Sequence, residues 1–379
     1  MNIKLSEEQQ VLCDAIKDTC EKYLNKDVFE EDEKEVFNRE KWSKLGELGI
    51  FSLPFEEELG GLNVDAVTTT LAIYTLARYC KDEGLVFSVV AQLSATQIPL
   101  WIHGTEEQKK KYLMPIITGE KIGASVISEP EAGSDASGME AKIRKTDKTF
   151  ILDGTKTFAT LSPVSDILLV YAKHPNGIKM LDISALIMEK GEYEIGQVFQ
   201  KSGLRTSPMG EVVLSNSEIP LDRLVGSERR AMSIFMDAMM WEKLLMGAYH
   251  VGAMEQQYYD VYNYAKQREQ FGKPIIEFEN IYNMLVNMRM RVETGKLMMF
   301  DVSKGFGKNQ GDKYGAAMLK LHTAESKLKN SLEAAEIMGT YGFLKESNVE
   351  KQVRDSLASG IYSGTNQMQR RILYNKLGD

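Results

Sequence analysis

The stretch Ala231–Met254, AMSIFMDAMMWEKLLMGAYHVGAM, decides how this chain is read. It has no proline and is apolar almost all round, the pattern of a helix buried inside a bundle. Near its middle stands Glu242. Its neighbours at helical spacing, Ala238, Met239, Leu245 and Met246, offer a carboxylate no partner, and Lys243, adjacent in sequence, points elsewhere. Burial should raise the pKa of such a group. That suits a general base acting on a weakly acidic C–H. A salt bridge to another helix is the alternative.

Working outward, proline divides the chain. Six of the nine prolines lie between Pro115 and Pro220, and only Pro274 follows. Residues 221–379 can therefore be almost entirely long helices. Residues 1–118 also read as helix: Val11, Ile16 and Tyr23 lie near helical spacing, and Ala66–Tyr79 and Gln108–Ile117 are amphipathic. Between these regions Phe150–Leu152, Ile167–Ala172, Ile183–Met188 and Val212–Leu214 are short apolar runs between turn residues, and read as strands. The expected fold class is α+β, mainly α. It divides into an N-terminal helical domain (1–119), a middle β-domain (120–226) and a C-terminal helical bundle (227–379).

Bulk properties exclude several functions. The net charge of −8 disfavours a nucleic-acid partner. Lys109-Lys110-Lys111 is read as a solvated helix face. Three cysteines (Cys13, Cys20, Cys80) are too few and scattered for a disulfide framework or a zinc site. His103, His174, His250 and His322 share no metal-ligand spacing, so no metal is expected. No stretch approaches the roughly 20 apolar residues of a membrane span. Ser6, Glu7 and Glu8 read as a helix start rather than a secretion leader, so the expected location is cytoplasmic.

Three further segments carry small-residue turns or anion-binding chemistry. In Ser128-Glu-Pro-Glu-Ala-Gly-Ser-Asp135, Gly133 and the hydroxyls of Ser128 and Ser134 could bring backbone N–H groups to a pyrophosphate, or form an ordinary polar turn. In Arg268-Glu-Gln-Phe-Gly-Lys-Pro-Ile275 a long helix is expected to end at the glycine and the next to begin at Pro274, with Arg268 on a phosphate or on the surface. Gly364 and Thr365 precede the last helix as an anion site or a plain cap. No Gly-x-Gly-x-x-Gly follows a strand, and neither a P-loop nor a Gly-x-Ser-x-Gly elbow is present.

Six segments stand in order along the chain: Ser128–Asp135, Leu152-Asp-Gly-Thr-Lys156, Lys201-Ser-Gly-Leu-Arg205, Arg268–Lys273, Gly339-Thr-Tyr-Gly342 and Tyr362-Ser-Gly-Thr365. Together they resemble the acyl-CoA dehydrogenase family. The resemblance implies FAD bound across a subunit boundary in a homodimer or homotetramer. It implies that Ser128 bonds the flavin pyrimidine edge, Ser134 the pyrophosphate, and Thr160 a point near N5. Phe158 replaces the tryptophan that commonly packs on the ring. Arg268, Phe271 and Gly339 would reach the neighbouring subunit's FAD, and Thr365 and Gln367 that of their own. Glu336 stands where a glutamine is usual.

The departure that matters is Ser363, at the position where many members carry the catalytic glutamate. A subset carries it instead on an earlier helix in Glu-Arg-Leu, which here reads Glu242-Lys-Leu244. Glu242 and Arg268 are 26 residues apart (268 − 242), as in that subset. The resemblance thus implies that Glu242 takes the α proton while the β hydrogen leaves as hydride to flavin N5, in a pocket lined by Trp241 and nearby methionines. Trp241-Glu-Lys243 with Ser363-Gly-Thr365 and Met368-Gln369 is similar to the branch acting on acyl or aminoacyl groups, such as prolyl, tethered to carrier proteins. A free acyl-CoA is the alternative substrate, and an electron-transfer flavoprotein or oxygen the acceptor. A flavin-binding relative without dehydrogenase activity is the reading of another class. A DNA-associated relative is disfavoured, since the sequence stops ten residues after Gln369 without a basic tail.

Overall fold

Ser6 opens the first helix as its sequence suggests: its hydroxyl accepts from the Gln9 N–H, and the Gln9 side chain bonds back to the Ser6 N–H, each at 3.1 Å. The structure, a computed structural model, describes residues 4–175 and 182–377. In the first helix, α1 (Glu7–Thr19), the apolar stripe is Ile16 continued by Cys20 and Leu24 at four-residue steps, all fully buried. Val11 and Tyr23, expected on that stripe, face solvent.

Ala66–Tyr79 forms α2 with the bounds the amphipathic pattern gives, capped by Asp65. The next helix corrects an expectation. From α3 (Glu83–Gln92) the chain runs on through a π turn into Ile98–His103. This makes a 21-residue helix of mean hydropathy 1.5, long and apolar enough by length and composition to cross a membrane. Its apolar side chains belong to the core, since 83% of its most apolar stretch is buried in the fold. Lys109 also departs from a wholly solvated face, being buried and paired with Glu106 at 2.8 Å.

Among the described residues the middle region carries eight strands: β1 (Gly123–Val126), β2 (Lys142–Lys145), β3 (Thr149–Thr160), β4 (Ile167–Lys173), β5 (Ile183–Glu189), β6 (Glu194–Val198), β7 (Met209–Pro220) and β8 (Leu224–Val225). They form one mixed sheet in the order β6-β7-β3-β2-β4-β5-β8, with β1 parallel to β4. All four sequence-expected strands are present. The long β3–β7 pair is antiparallel and broken by bulges; Lys156 faces Val212, but Ala159 faces Gly210. Three steps on β3 thus oppose two on β7, which inserts an extra residue at Thr157–Phe158.

The C-terminal region is the expected bundle. Its spine, α4 (Ala231–Gln267), has 37 residues and is roughly 55 Å long at 1.5 Å per residue. It packs against α2, α5 (Glu279–Ser303) and α6 (Lys313–Met338). Its first half lies in the main core with Trp241, Leu244, Leu245 and Met246. Its far end, Val261 and Ala265, joins a second cluster with Ile275, Leu285, Ile337 and Val349. Gly252 permits the crossing with α2, because a Cβ there would lie 2.2 Å from the Tyr74 carbonyl oxygen. The shorter α7 (Asn348–Ser356) and α8 (Asn366–Tyr374) close the bundle.

The expected helix end at Gly272 and restart at Pro274 are both corrected. Helix α4 stops at Gln267, residues 269–270 pair with 273–274 as a small hairpin, and α5 begins only at Glu279. The hairpin loop is Phe271-Gly272, both left-handed (φ +53° and +80°). A two-residue loop of that hand matches strand twist, so this glycine makes a turn rather than a helix cap.

Candidate active site

Helix α4 delivers Glu242 to the centre of the bundle, where it keeps partial solvent access while its helix neighbours Trp241, Lys243 and Leu244 are buried. Its partner comes from a remote segment. Ser363 Oγ donates to Glu242 Oε1 at 2.6 Å. Loss of hydration pushes the Glu242 carboxyl above its ordinary value; the Ser363 hydrogen bond and the Lys243 and Lys320 ammonium groups pull the other way without overcoming it. Lys243 is buried, its charge is felt by Glu242, and its own pKa is pushed down by burial to about 8.

The turn that presents Ser363 is tightly held. Ser363 and Gly364 are both left-handed, at φ +57° and +75°. Gln369 Nε2 donates to the carbonyls of Ser363 (3.2 Å) and Gly364 (2.8 Å). Lys320 Nζ donates to the Gly364 carbonyl (3.0 Å) and to Asn366 Oδ1 (3.1 Å). Thr365 caps α8, its hydroxyl accepting from the Met368 N–H at 3.2 Å. Tyr362 is fixed through His250. The Thr323 hydroxyl spends its proton on the Leu319 carbonyl (2.8 Å), so it accepts from His250 Nδ1–H (3.0 Å) and leaves Nε2 to accept from the Tyr362 phenol (2.7 Å). Burial holds His250 well below its ordinary pKa and therefore neutral.

Holding Ser363 left-handed costs about 1–2 kcal/mol. A hydrogen bond to a charged group contributes about 1.5–3 kcal/mol. The bond to Glu242 is thus large enough to offset the strain, and the carbonyl anchors add to it.

A second group of expected residues lies on the middle sheet. The Ser128 carbonyl accepts from the Thr157 N–H at 2.9 Å, so the Ser128 segment abuts the β3 bulge. Phe158 occupies that bulge with a left-handed backbone (φ +54°) and a ring that is 58% exposed, 5.3 Å from the Phe199 ring centroid. Thr160 follows at the end of β3. Beneath them Lys156 is fully buried and donates to Glu129 Oε1 at 2.6 Å and to the Ile127 carbonyl at 3.2 Å. Glu129 also accepts from the Ala141 N–H at 3.0 Å. Ser134 is exposed in the adjoining turn.

A third group sits at the far end of the bundle. Arg268 is the exposed cap of α4, and Phe271 at the hairpin tip is 95% exposed. Gly339 follows α6 with φ +57° and ψ −132°, a conformation essentially restricted to glycine, and nothing lies within 4 Å of where its Cβ would be. Tyr264 draws the two together: its hydroxyl donates to the Met338 carbonyl (3.4 Å) and its ring meets Tyr341 at 6.1 Å. Gln367 and Glu336 are exposed.

The Lys201–Arg205 segment joins the three regions. Leu204 N–H donates to Asp355 Oδ1 (2.6 Å), Thr206 to Asp82 (2.5 Å), and Lys351 pairs with Asp355 (2.6 Å). Gly203 lies so close to α7 that a Cβ would meet the Arg354 carbonyl oxygen at 2.2 Å. Among the described residues, no three His, Cys, Asp or Glu side chains are grouped to hold a metal ion.

Sequence reasoning missed Lys320, and it quoted Gln369, Glu129 and Lys156 without the contacts they make. Lys320 had a readable signal, for it falls on the α6 stripe of Ala316, Leu319, Thr323, Ala324 and Lys327, all buried.

These groups suit a large, planar and anionic cofactor. An exposed aromatic ring on a strained bulge and an open glycine turn give flat and close-approach surfaces, and the half-buried Glu242 carboxylate supplies proton chemistry. Comparison with known proteins agrees. The chain matches the acyl-CoA dehydrogenase N-terminal domain over residues 6–120, the middle domain over 124–217 and the C-terminal domain over 231–378. It is 32% identical to the L-prolyl-[peptidyl-carrier protein] dehydrogenase of a Serratia species, over 100% of this chain and 98% of that protein. It is similar to the crystal structure of the prolyl acyl carrier protein oxidase AnaB, with TM-score 0.96 and 31% identity over 99% of this chain and 100% of that one. It is also similar to the butyryl-CoA dehydrogenase of Megasphaera elsdenii, with TM-score 0.95 and 32% identity over 100% of both. The chain belongs to the acyl-CoA dehydrogenase family, the FAD-dependent oxidoreductases that act on acyl thioesters.

Proposed function

We propose that this protein α,β-dehydrogenates an acyl or aminoacyl thioester carried by a carrier protein, with Glu242 as the base for the α proton. The observation that carries the reading is the half-buried Glu242 carboxylate, raised in pKa by lost hydration and held by Ser363. Serine occupies the position of the more common family base, and a serine hydroxyl cannot accept an α proton at neutral pH. As a hydrogen-bond donor to Glu242 it instead keeps that carboxylate aimed and available.

Ser128, Ser134, Phe158 and Thr160 on the middle sheet, with Thr365 and Gln367 beyond the Ser363 turn, would hold FAD in the same subunit. Arg268, Phe271 and Gly339 would hold the FAD of a second subunit, which is why the reading includes a homodimer or homotetramer. Bound FAD supplies the two-electron acceptor for the β hydrogen. Glu242 takes the α proton at its carboxylate, and its raised pKa lessens the mismatch with a weakly acidic C–H. Trp241, packed against Trp101 and Phe306 with ring centroids 6.4 and 5.5 Å away, walls the Glu242 segment with apolar surface that limits water.

The carrier-tethered substrate is supported by the relatives named for prolyl carrier proteins. Similar identity to a butyryl-CoA dehydrogenase supports the second reading, a short acyl-CoA. The test is anaerobic flavin bleaching with prolyl- or acyl-loaded carrier protein against the matching CoA thioesters. Faster bleaching by the carrier-bound group supports the proposal, and faster bleaching by the CoA ester replaces it. Repeating turnover with oxygen and with an electron-transfer flavoprotein identifies the acceptor.

A further inference from the structure

Buried lysines are costly unless they hold something in place. Lys320 is fully buried on α6, and among the described residues its ammonium makes no hydrogen bond to a carboxylate. Both of its acceptors belong to the turn around Ser363: the Gly364 carbonyl at 3.0 Å and Asn366 Oδ1 at 3.1 Å. The same carbonyl accepts from Gln369. Two donors from different helices thus fix one peptide group of a turn whose two central residues are left-handed. The side chain that this turn aims at Glu242 is the Ser363 hydroxyl.

We propose that Lys320 is a positioning residue for the base: it locks the Ser363–Gly364 turn so that the Ser363 hydroxyl stays on Glu242. The inference rests on the reading of Glu242 as the α-proton base. Lys320 does not touch Glu242 through a hydrogen bond; it acts through the turn. Its charge works in the same direction as the geometry. The charged and titratable groups facing Glu242 are Lys243 on its own helix, Lys320 on α6 and the Tyr362 phenol. Burial brings Lys320 down to about 8, so it remains cationic at neutral pH and favours the ionised carboxylate. Loss of the lock frees Ser363 from its left-handed conformation, and loss of the ammonium removes positive charge. Both changes raise the pKa of Glu242, and both move the acid limb of flavin reduction to higher pH.

The experiment uses the FAD-loaded protein and the pH dependence of anaerobic flavin reduction by a bleaching thioester. It compares wild type, Lys320→Met, Ser363→Ala and the double variant. Lys320→Met is expected to keep its FAD and to bind the thioester within about twofold of wild type. It should shift the acid limb upward by about one unit and so slow reduction by about tenfold at pH values below that limb, which is the size of change that a tenfold loss of ionised base gives. In the Ser363→Ala background the same substitution should add less than about threefold, the part that the ammonium charge contributes by itself, because there is no hydroxyl left to aim. An unshifted limb, or the same tenfold loss in both backgrounds, overturns the proposal. Should Lys320→Met not fold, Asn366→Ala removes one acceptor and leaves the charge, and a smaller upward shift is required of it. Glu242→Gln separates the two levels: if it bleaches as fast as wild type, the base assignment fails. If it does not bleach and Lys320→Met leaves the limb in place, only the role of Lys320 fails.

Discussion

The Ser363 hydroxyl donates to the Glu242 carboxylate at 2.6 Å, joining residues 121 apart in sequence. The position given by the family resemblance to the base in many relatives here carries a hydroxyl donor to Glu242, the proposed base. A buried carboxylate with a single hydroxyl donor retains a raised pKa, whereas one paired directly with a cation would be depressed.

Ser363→Ala should therefore leave a folded flavoprotein with a less available base. Removing a hydrogen bond to a charged group worth about 1.5–3 kcal/mol corresponds to about one to two pKa units. The acid limb of flavin reduction should move upward by that amount, as read in stopped-flow bleaching at a series of pH values. An unmoved limb would mean that the hydroxyl does not contact the ionised base.

Glu242→Gln should stabilise the protein at neutral pH. The unfolded carboxyl titrates near about 4.3, and burial raises it in the fold. Below both values the group is neutral in either state and contributes nothing. As pH rises from the unfolded value through the folded one, ionisation increasingly favours the unfolded chain, and the cost is constant above. The amide avoids that cost and still accepts from Ser363. Thermal midpoints of the two proteins should coincide near pH 4 and separate by about 1–3 °C at neutrality, the variant being higher.

The Glu129–Lys156 pair underpins the Ser128–Phe158 surface. Burial pushes Lys156 down, and Lys156→Met would strand Glu129 with its charge uncompensated. Breaking such a pair costs about 3–5 kcal/mol. The variant should lose FAD on gel filtration and unfold at lower temperature; retention of both would place the pair outside the cofactor surface.

Phe158→Gly divides stability from binding. The left-handed phenylalanine costs about 1–2 kcal/mol, against about 0.5–1 kcal/mol of backbone entropy for glycine. The apoprotein should be at least as stable as wild type, while FAD titration gives weaker binding because the exposed ring is gone. Unchanged FAD affinity would remove Phe158 from the cofactor site.

Much of this was legible in the sequence because local pattern sets it. Proline placement and alternation locate the strands, and the apolar run around Glu242 locates the spine of the bundle. What escaped depends on contacts across the fold. Nothing local says that Ser363 meets Glu242, since the turn bringing them together is fixed by Lys320 and Gln369. Gly272 reads as a helix end because glycine serves both caps and hairpins, and only pairing of 269–270 with 273–274 separates the two. Val11 and Tyr23 satisfied helical spacing, yet the stripe at Ile16, Cys20 and Leu24 meets the core. The continuous apolar helix from Glu83 to His103 was hidden by Pro99, which sits near the start of its last segment without ending it.

The most direct test of the central claim is anaerobic flavin reduction by a thioester that bleaches wild type, measured for FAD-loaded Glu242→Gln. The account predicts normal FAD content and thioester binding, with reduction slowed by about 10²–10⁴-fold, the contribution typical of a general base. Bleaching at the wild-type rate would contradict it and make Glu242 a structural carboxylate.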